Sequence, residues 1–172
     1  ELRNPAVMLG YWGMPDETAR VIRPDGWLRT GDLVAENPDG TYTFVGREKE
    51  IIRRRGENIS AFEVEQVIET HPGVVACAVV GVESELGEEE VAAFVVLHDE
   101  SVEELEIIRF SSSNMAYYMV PRFIKFVSAL PQTESFKVKK YELVEQAVAE
   151  RAALWDRDAA GIRVDRAGMH SS

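Results

Sequence analysis

The sequence contains a single cysteine, Cys77, among its 172 residues. An internal disulfide is therefore excluded, and because Cys77 lies in an apolar run typical of a buried strand, we expect a structural thiol. The chain also has no apolar run near the roughly 20 residues that span a bilayer, and no signal peptide. We therefore expect a cytoplasmic protein without a transmembrane segment.

Positive charge is scarce, since 19 Lys and Arg residues oppose 30 Asp and Glu residues and the formal net charge is −11. Nucleic acids and anionic membranes require broad positive potential, so we expect neither as a partner. A bound phosphate would need local cations, which are present at Arg47, Lys49, residues 53–55 and Lys137.

Metal-ligand spacing and phosphate-binding loops are also missing. The three histidines are scattered, so we expect no metal site. Neither a Gly-x-x-x-x-Gly-Lys-Ser/Thr motif nor a Ser/Thr/Gly-rich phosphate loop occurs. If the protein acts on a nucleotide, most of the phosphate-binding groups must lie outside this sequence.

Residues 1–47 contain three short, partly alternating segments, at 27–30, 33–36 and 41–45, which predict a β-meander. A sheet of three such short strands is only marginally stable unless it packs against another part of the protein. We interpret residues 1–47 as the C-terminal edge of a larger domain, represented here by a fragment.

Residues 48–150 predict a small α+β domain, in which a central three-stranded antiparallel sheet is flanked by helices and accompanied by a short β-hairpin. The predicted elements are a helix at 61–70, strands at 74–82, 91–98 and 123–127, an acidic turn at 83–90, a helix opened by a Ser101–Glu104 capping box, and a helix at 139–153. Residues 151–172 mix charge, glycine and alanine without a period, so we expect disorder there.

The densest charge cluster lies in residues 46–60, GREKEIIRRRGENIS. It predicts a hairpin anchored by its isoleucine pair, with the arginines at 53–55 facing water or an anion. Gly56 supplies the turn, because glycine adopts positive φ without steric cost. Ser60 and Glu63 then form a capping box that starts the following helix.

Three segments in this order, WLRTGDL at 27–33, the cluster at 46–60 and LPQTESFKV at 130–138, resemble the C-terminal part of adenylate-forming enzymes. This superfamily includes acyl-CoA synthetases, luciferases and peptide-synthetase adenylation domains, and the resemblance covers residues of about 5 to 148. The runs at 114–123 and 137–143 look most like crotonobetaine/carnitine-CoA ligases. One departure is Phe136, at a position where the family often has glycine.

The resemblance implies roles for four residues. Asp32 and Arg47 would contact the ribose of a nucleotide, Lys49 would be the hinge between a large and a small domain, and Lys137 would be the catalytic lysine of adenylation. From spacing alone, other interpretations stay open: Asp32 stabilises its turn, Arg47 makes an exposed ion pair, and the two lysines are solvated.

The resemblance further implies that a rotated small domain presents Arg53, Gly56 and Glu57 to the CoA channel during thioester formation. The predicted function is thus a fragment of an ATP-dependent acyl-CoA synthetase, inactive alone, whose full-length form uses ATP, Mg2+, CoA and a small carboxylic acid. Its missing N-terminal domain would be its main partner. A peptide-synthetase adenylation domain and a non-catalytic interaction module are the alternatives.

Overall fold

A computed structural model describes residues 1–84, 87–99 and 101–171. These residues divide into two compact units, Glu1–Lys49 and Glu50–Ser172. Within the described ranges, no helix combines the length and the apolar character that a bilayer crossing requires.

The first unit consists of one helix and one β-hairpin. Its elements are α1 (Pro15–Val21), β1 (Asp32–Glu36) and β2 (Tyr42–Arg47). The two strands pair antiparallel, with Asp32 opposite Arg47. The predicted strand at 27–30 forms only isolated bridges at Leu28, so the β-meander is reduced to a hairpin. Gly46 is the one buried residue of this fully described unit.

The second unit is an α+β domain, as predicted. Its elements are β3 (Ile51–Arg54), β4 (Glu57–Ser60), α2 (Ala61–Glu69), β5 (Val74–Glu83), β6 (Glu89–Leu97), α3 (Glu104–Asn114), β7 (Phe123–Phe126), α4 (Lys140–Ala149), β8 (Trp155–Asp156), β9 (Ile162–Asp165) and β10 (Gly168–Ser171). Residues 85, 86 and 100 lie outside the described residues, so the predicted acidic turn at 83–90 is described only in part.

The central sheet differs from the prediction in size and direction. It has four strands in the order β5-β6-β7-β8, with β5 and β6 antiparallel, β6 and β7 parallel, and β7 and β8 antiparallel. The three-stranded antiparallel sheet was therefore a wrong prediction. Helix α3 connects β6 to β7 as a crossover, which lets β7 run in the same direction as β6.

Both faces of this sheet are buried, which explains the continuous apolar runs of β5 and β6. On one face, Cys77 and Val79 pack with residues of α2, α3 and the β3–β4 hairpin. On the other face, Val80 and Phe94 pack with Leu143 of α4. Successive residues of β5 thus point to opposite cores, as the pleat of a strand requires.

The predicted start of α2 is confirmed, whereas that of α3 is not. The Glu63 N–H donates to Oγ of Ser60 at 3.3 Å, so Ser60 is the N-cap of α2. Helix α3 begins at Glu104 with Glu103 as its N-cap. Ser101 does not cap it, because its hydroxyl donates to Asp99 at 2.7 Å within a local turn.

The tail also departs from the sequence-based expectation, because described residues 151–171 are folded. Strand β8 extends the central sheet, and Ile162 at the start of the β9–β10 hairpin enters the core. Arg122 donates to both carboxylate oxygens of Asp156, at 3.1 and 3.0 Å. Tertiary contacts stabilise these very short strands, so their sequences need no alternating pattern of apolar and polar residues that would predict them.

Candidate functional site

Asp32 and Arg47 face each other across the β1–β2 hairpin. Nε of Arg47 lies 2.9 Å from Oδ1 of Asp32, and its Nη1 donates to the carbonyl of Thr30 at 3.2 Å. The Asp32 N–H donates to Oγ1 of Thr30 at 3.1 Å, so Thr30 provides the side-chain hydrogen bond of this turn. The structure therefore brings together the two residues predicted to contact a ribose.

The Asp32 carboxylate retains hydrogen-bonding capacity. Its Oδ1 is buried, and within the described part of the chain no donor is aligned with it, so the contact with Arg47 is an ion pair only. A cavity of about 260 Å³ adjoins this carboxylate and is lined by Glu1, Arg29, Thr30, Gly31, Asp32 and Glu48. Because the Asp32 side chain is 31% exposed, its carboxylate can receive a hydroxyl donor from this cavity.

Lys49, the predicted hinge, is the last residue of the first unit and is exposed. Its two neighbours are each held by their own unit. The Glu48 N–H donates to the carbonyl of Gly31 at 2.9 Å. The Glu50 carboxylate pairs with the ammonium of Lys140, which also lies 2.8 Å from Glu65.

The predicted arginine hairpin is present as β3 and β4, with Arg54 opposite Glu57. Arg55 and Gly56 form its two-residue turn with φ of 51° and 81°. Two positive φ values are typical of the turn that joins tightly twisted antiparallel strands. Arg53, Gly56 and Glu57, the residues assigned to CoA binding, are all exposed on this hairpin.

Arg54 is not exposed, contrary to the prediction that all three arginines face water or an anion. Its Nε lies 2.6 Å from Oε2 of Glu90, and its Nη1 donates to the carbonyls of Tyr118 and Val120. The side chain of Arg54 is 4% exposed and that of Glu90 is 6% exposed. Burial lowers the pKa of the Arg54 guanidinium, and the charge of Glu90 opposes this shift.

Sequence reasoning also missed the glutamates that contact this hairpin. The Arg53 N–H donates to Oε2 of Glu89, and the Arg55 N–H donates to Oε2 of Glu88, both at 2.8 Å. The sequence did contain a signal for these contacts, because a run of three arginines at 53–55 has a run of three glutamates of opposite charge at 88–90.

Lys137 lies on a tight loop that is closed by an isolated bridge between Gln132 and Val138, shortly before α4 begins. Thr133 organises this loop, since its N–H donates to the carbonyl of Lys137 at 2.8 Å and its Oγ1 accepts from the Lys137 N–H at 3.1 Å. The Lys137 side chain is exposed. In the described chain its ammonium makes no ion pair, so the charge is available to a ligand.

Phe136 precedes this lysine with φ of 61°, and its side chain is 83% exposed. A left-handed φ favours glycine, the residue that adenylate-forming enzymes often have at the matching position. The loop therefore keeps the backbone conformation that a glycine would adopt, in spite of the bulkier residue.

Comparison with known proteins identifies a large part of the second unit. Residues 63–137 match the family model of the AMP-binding enzyme C-terminal domain. The chain contains an AMP-binding enzyme C-terminal domain. It is homologous to acyl-CoA ligases, and its structural neighbours are adenylate-forming enzymes.

Two curated relatives and one solved structure show the extent of the similarity. The mitochondrial medium-chain acyl-CoA ligase ACSF2 of Macaca fascicularis is 40% identical over 146 residues, 84% of this chain and 24% of the relative. The crotonobetaine/carnitine–CoA ligase of Proteus mirabilis is 40% identical over 134 residues, 77% of this chain and 26% of the relative. ATP-bound MatB from Rhodopseudomonas palustris is 33% identical with a TM-score of 0.78, covering 84% of this chain and 29% of that structure.

The chain therefore spans about a quarter of the length of the curated relatives that it matches. The matched segment begins within α2, shortly after the arginine hairpin, and ends at Lys137.

Proposed function

We propose that this protein is the C-terminal part of an ATP-dependent acyl-CoA synthetase, with residues 1–47 belonging to a larger domain. One observation carries the proposal: a homologue of CoA ligases presents an exposed lysine on a hydrogen-bonded loop, and among the described residues its ammonium has no ion-pair partner. The first unit supports it, because Leu9 and Trp12 are fully exposed there. Large apolar side chains left in water favour a covering partner, here the rest of the larger domain.

In the first half-reaction, an oxygen of the substrate carboxylate attacks the α-phosphorus of ATP. A P–O bond to pyrophosphate breaks, and an acyl-adenylate forms. Lys137 is proposed to bridge the incoming carboxylate and the α-phosphate, so that it positions the two reactants and stabilises the negative charge on the phosphate oxygens.

Asp32 and Arg47 are proposed to bind the ribose of ATP. The Asp32 carboxylate lines the cavity and its side chain is 31% exposed, so it can accept a hydrogen bond from a ribose hydroxyl. Magnesium is proposed as a substrate-bound ion of the full-length enzyme. The described residues contain no group of three His, Cys, Asp or Glu side chains that could hold a metal, so we assign it no ligand in this chain.

In the second half-reaction, the thiol of CoA attacks the acyl carbon, the C–O bond to AMP breaks, and AMP leaves. Lys49 is proposed as the hinge for the domain rotation between the half-reactions. Two local contacts support this role: the Glu48 N–H bonds within the first unit and the Glu50 carboxylate pairs within the second unit, so Lys49 lies between the two sets of contacts. Arg53, Gly56 and Glu57 are proposed to line the CoA channel.

The role of Lys137 can be tested in a fusion in which this chain replaces the matching part of the Proteus mirabilis ligase. Lys137→Ala should slow adenylation by about a hundred- to a thousandfold, since it removes one charge-stabilising donor from the transition state. Lys139→Ala, with the same charge change two residues away, is the matched control. Adenylation is measured by ATP–pyrophosphate exchange with crotonobetaine, the acid in that ligase's name.

Thioester formation from preformed acyl-adenylate should be much less affected by Lys137→Ala. Equal loss in both half-reactions would contradict the assigned role. The 172-residue chain alone is proposed to be inactive, and pyrophosphate exchange by this chain with any carboxylic acid would refute that part.

CoA is the proposed acceptor because the similar curated relatives are named CoA ligases. Transfer by the fusion to a carrier-protein thiol in preference to CoA would favour the peptide-synthetase alternative. A fusion that forms no acyl-adenylate, although it is folded, would favour a non-catalytic module.

The compartment is a separate proposal. We propose the cytoplasm, although the medium-chain relatives are named mitochondrial. Fractionation of the source cells decides between these compartments.

A further inference from the structure

We propose that Glu88, Glu89 and Glu90 act as positioning residues for the arginine hairpin, β3 with β4 and its turn. These three residues, the glutamate clamp, would hold the hairpin in the shape required for thioester formation. The role of the clamp in thioester formation rests on the proposed function, whereas the clamp itself rests only on contacts within the second unit.

The clamp reaches three consecutive residues of the hairpin. Glu89 and Glu88 accept the backbone N–H groups of Arg53 and Arg55, respectively, each at 2.8 Å. Glu90 pairs with the buried guanidinium of Arg54 at 2.6 Å. Two of these contacts are hydrogen bonds to charged acceptors, which are stronger than neutral ones, and the third is a buried ion pair, so together they restrict this short hairpin.

Gly81 makes room for this arrangement. It lies on β5 opposite Val91, and a Cβ built there would lie 2.8 Å from Oε1 of Glu89. A side chain at position 81 would therefore displace the carboxylate that reaches Arg53. The glycine has no positive φ to explain it, so the close approach of Glu89 is its structural reason.

The turn needs external support, because Arg55 is a non-glycine residue with φ of 51°. Such a conformation is unfavourable for an L-residue unless the surroundings impose it. The Arg55 N–H bond to Glu88 lies directly at this residue. Release of the clamp would thus allow the turn to relax.

The clamp also determines which cations remain available. Glu88 and Glu89 bind backbone N–H groups, and the side chains of Arg53 and Arg55 are exposed, whereas that of Arg54 is buried with Glu90. The hairpin therefore presents two outward cations beside the exposed Gly56. This is the surface that the proposed CoA channel would use.

The clamp is tested by amide hydrogen exchange on the complete 172-residue chain. Glu89→Ala should speed exchange of the Arg53 N–H, and Glu88→Ala that of the Arg55 N–H, by roughly ten- to a hundredfold, the range for one hydrogen bond to a charged group. Glu89→Gln keeps an acceptor and should restore part of the protection. Glu145→Ala, an exposed glutamate of α4, is the matched control and should change neither amide.

The positioning role is tested in the Proteus mirabilis fusion. Glu89→Ala and Gly81→Ala should raise the KM for CoA and slow thioester formation about tenfold or more, with ATP–pyrophosphate exchange unchanged and partial recovery in Glu89→Gln. Unchanged protection of both amides in the alanine variants would overturn the clamp. Faster amide exchange with unaltered thioester formation would overturn the positioning role.

The two proposals fail in different ways. A wild-type fusion that forms no acyl-adenylate would refute the proposed function and with it the role in thioester formation. The exchange rates of the Arg53 and Arg55 amides would still decide whether the clamp exists.

Discussion

Arg54 should be far more important for stability than its two neighbours in the arginine run. Its side chain is 4% exposed, pairs with a Glu90 carboxylate that is 6% exposed, and donates to two backbone carbonyls. Arg54→Ala leaves the Glu90 charge buried without its partner. Removing one member of a buried ion pair costs about 3–5 kcal/mol, so we expect a loss of that size in the free energy of unfolding.

Arg55→Ala is the matched control, because Arg55 also lies near Glu90. Its Nη2 is 3.7 Å from Oε1 of Glu90, and its side chain is 68% exposed. Solvent screens such a contact, and we expect a loss of less than about 1 kcal/mol. Replacing the pair together, as Arg54→Met with Glu90→Leu, should recover most of the lost stability, since no unpaired charge remains.

Urea unfolding followed by tryptophan fluorescence measures these differences. The chain has three tryptophans, and Trp155 lies in β8 of the central sheet. In a Trp12→Phe, Trp27→Phe background, the fluorescence of Trp155 reports on the second unit alone. If the free energy of unfolding depends on urea concentration with the same slope in each variant, the variants unfold in the same transition and their stabilities can be compared. A loss below about 1 kcal/mol for Arg54→Ala, or equal losses for Arg54→Ala and Arg55→Ala, would refute the buried-pair reasoning.

Two further predictions concern the Lys137 loop and the buried thiol. Phe136→Gly should stabilise the chain by roughly 0.5–1 kcal/mol, because relief of the strain at a left-handed φ exceeds the cost of the added entropy of the unfolded chain. Thermal unfolding measures this change in stability, and an equal gain in Phe136→Ala would contradict the explanation. Burial raises the pKa of the Cys77 thiol well above its usual value, so the folded chain should react with iodoacetamide on the order of a thousandfold more slowly than the chain in denaturant. Similar alkylation rates with and without denaturant would show that Cys77 is accessible.

Local sequence patterns were enough to predict several elements of the fold and the family resemblance. The Ser60–Glu63 spacing located the start of α2, and the apolar runs around Cys77 and Phe94 predicted two paired central strands. The three segments that resemble adenylate-forming enzymes also indicated the correct homology, because each of them is a short continuous run of residues. In these cases the information lies within a few residues of the feature, so it can be seen without the fold.

Tertiary structure decided the rest. Three features depend on partners that are far away in sequence. Arg54 is buried against Glu90, β7 pairs parallel with β6, and residues 151–171 contact Arg122 through Asp156. The arginine run looks solvent-exposed by charge alone, since the sequence does not show which arginine points inward or which carboxylate meets it. Long-range pairing supplies the free energy that buries a charge or orders a short strand, and only the folded chain brings those partners together.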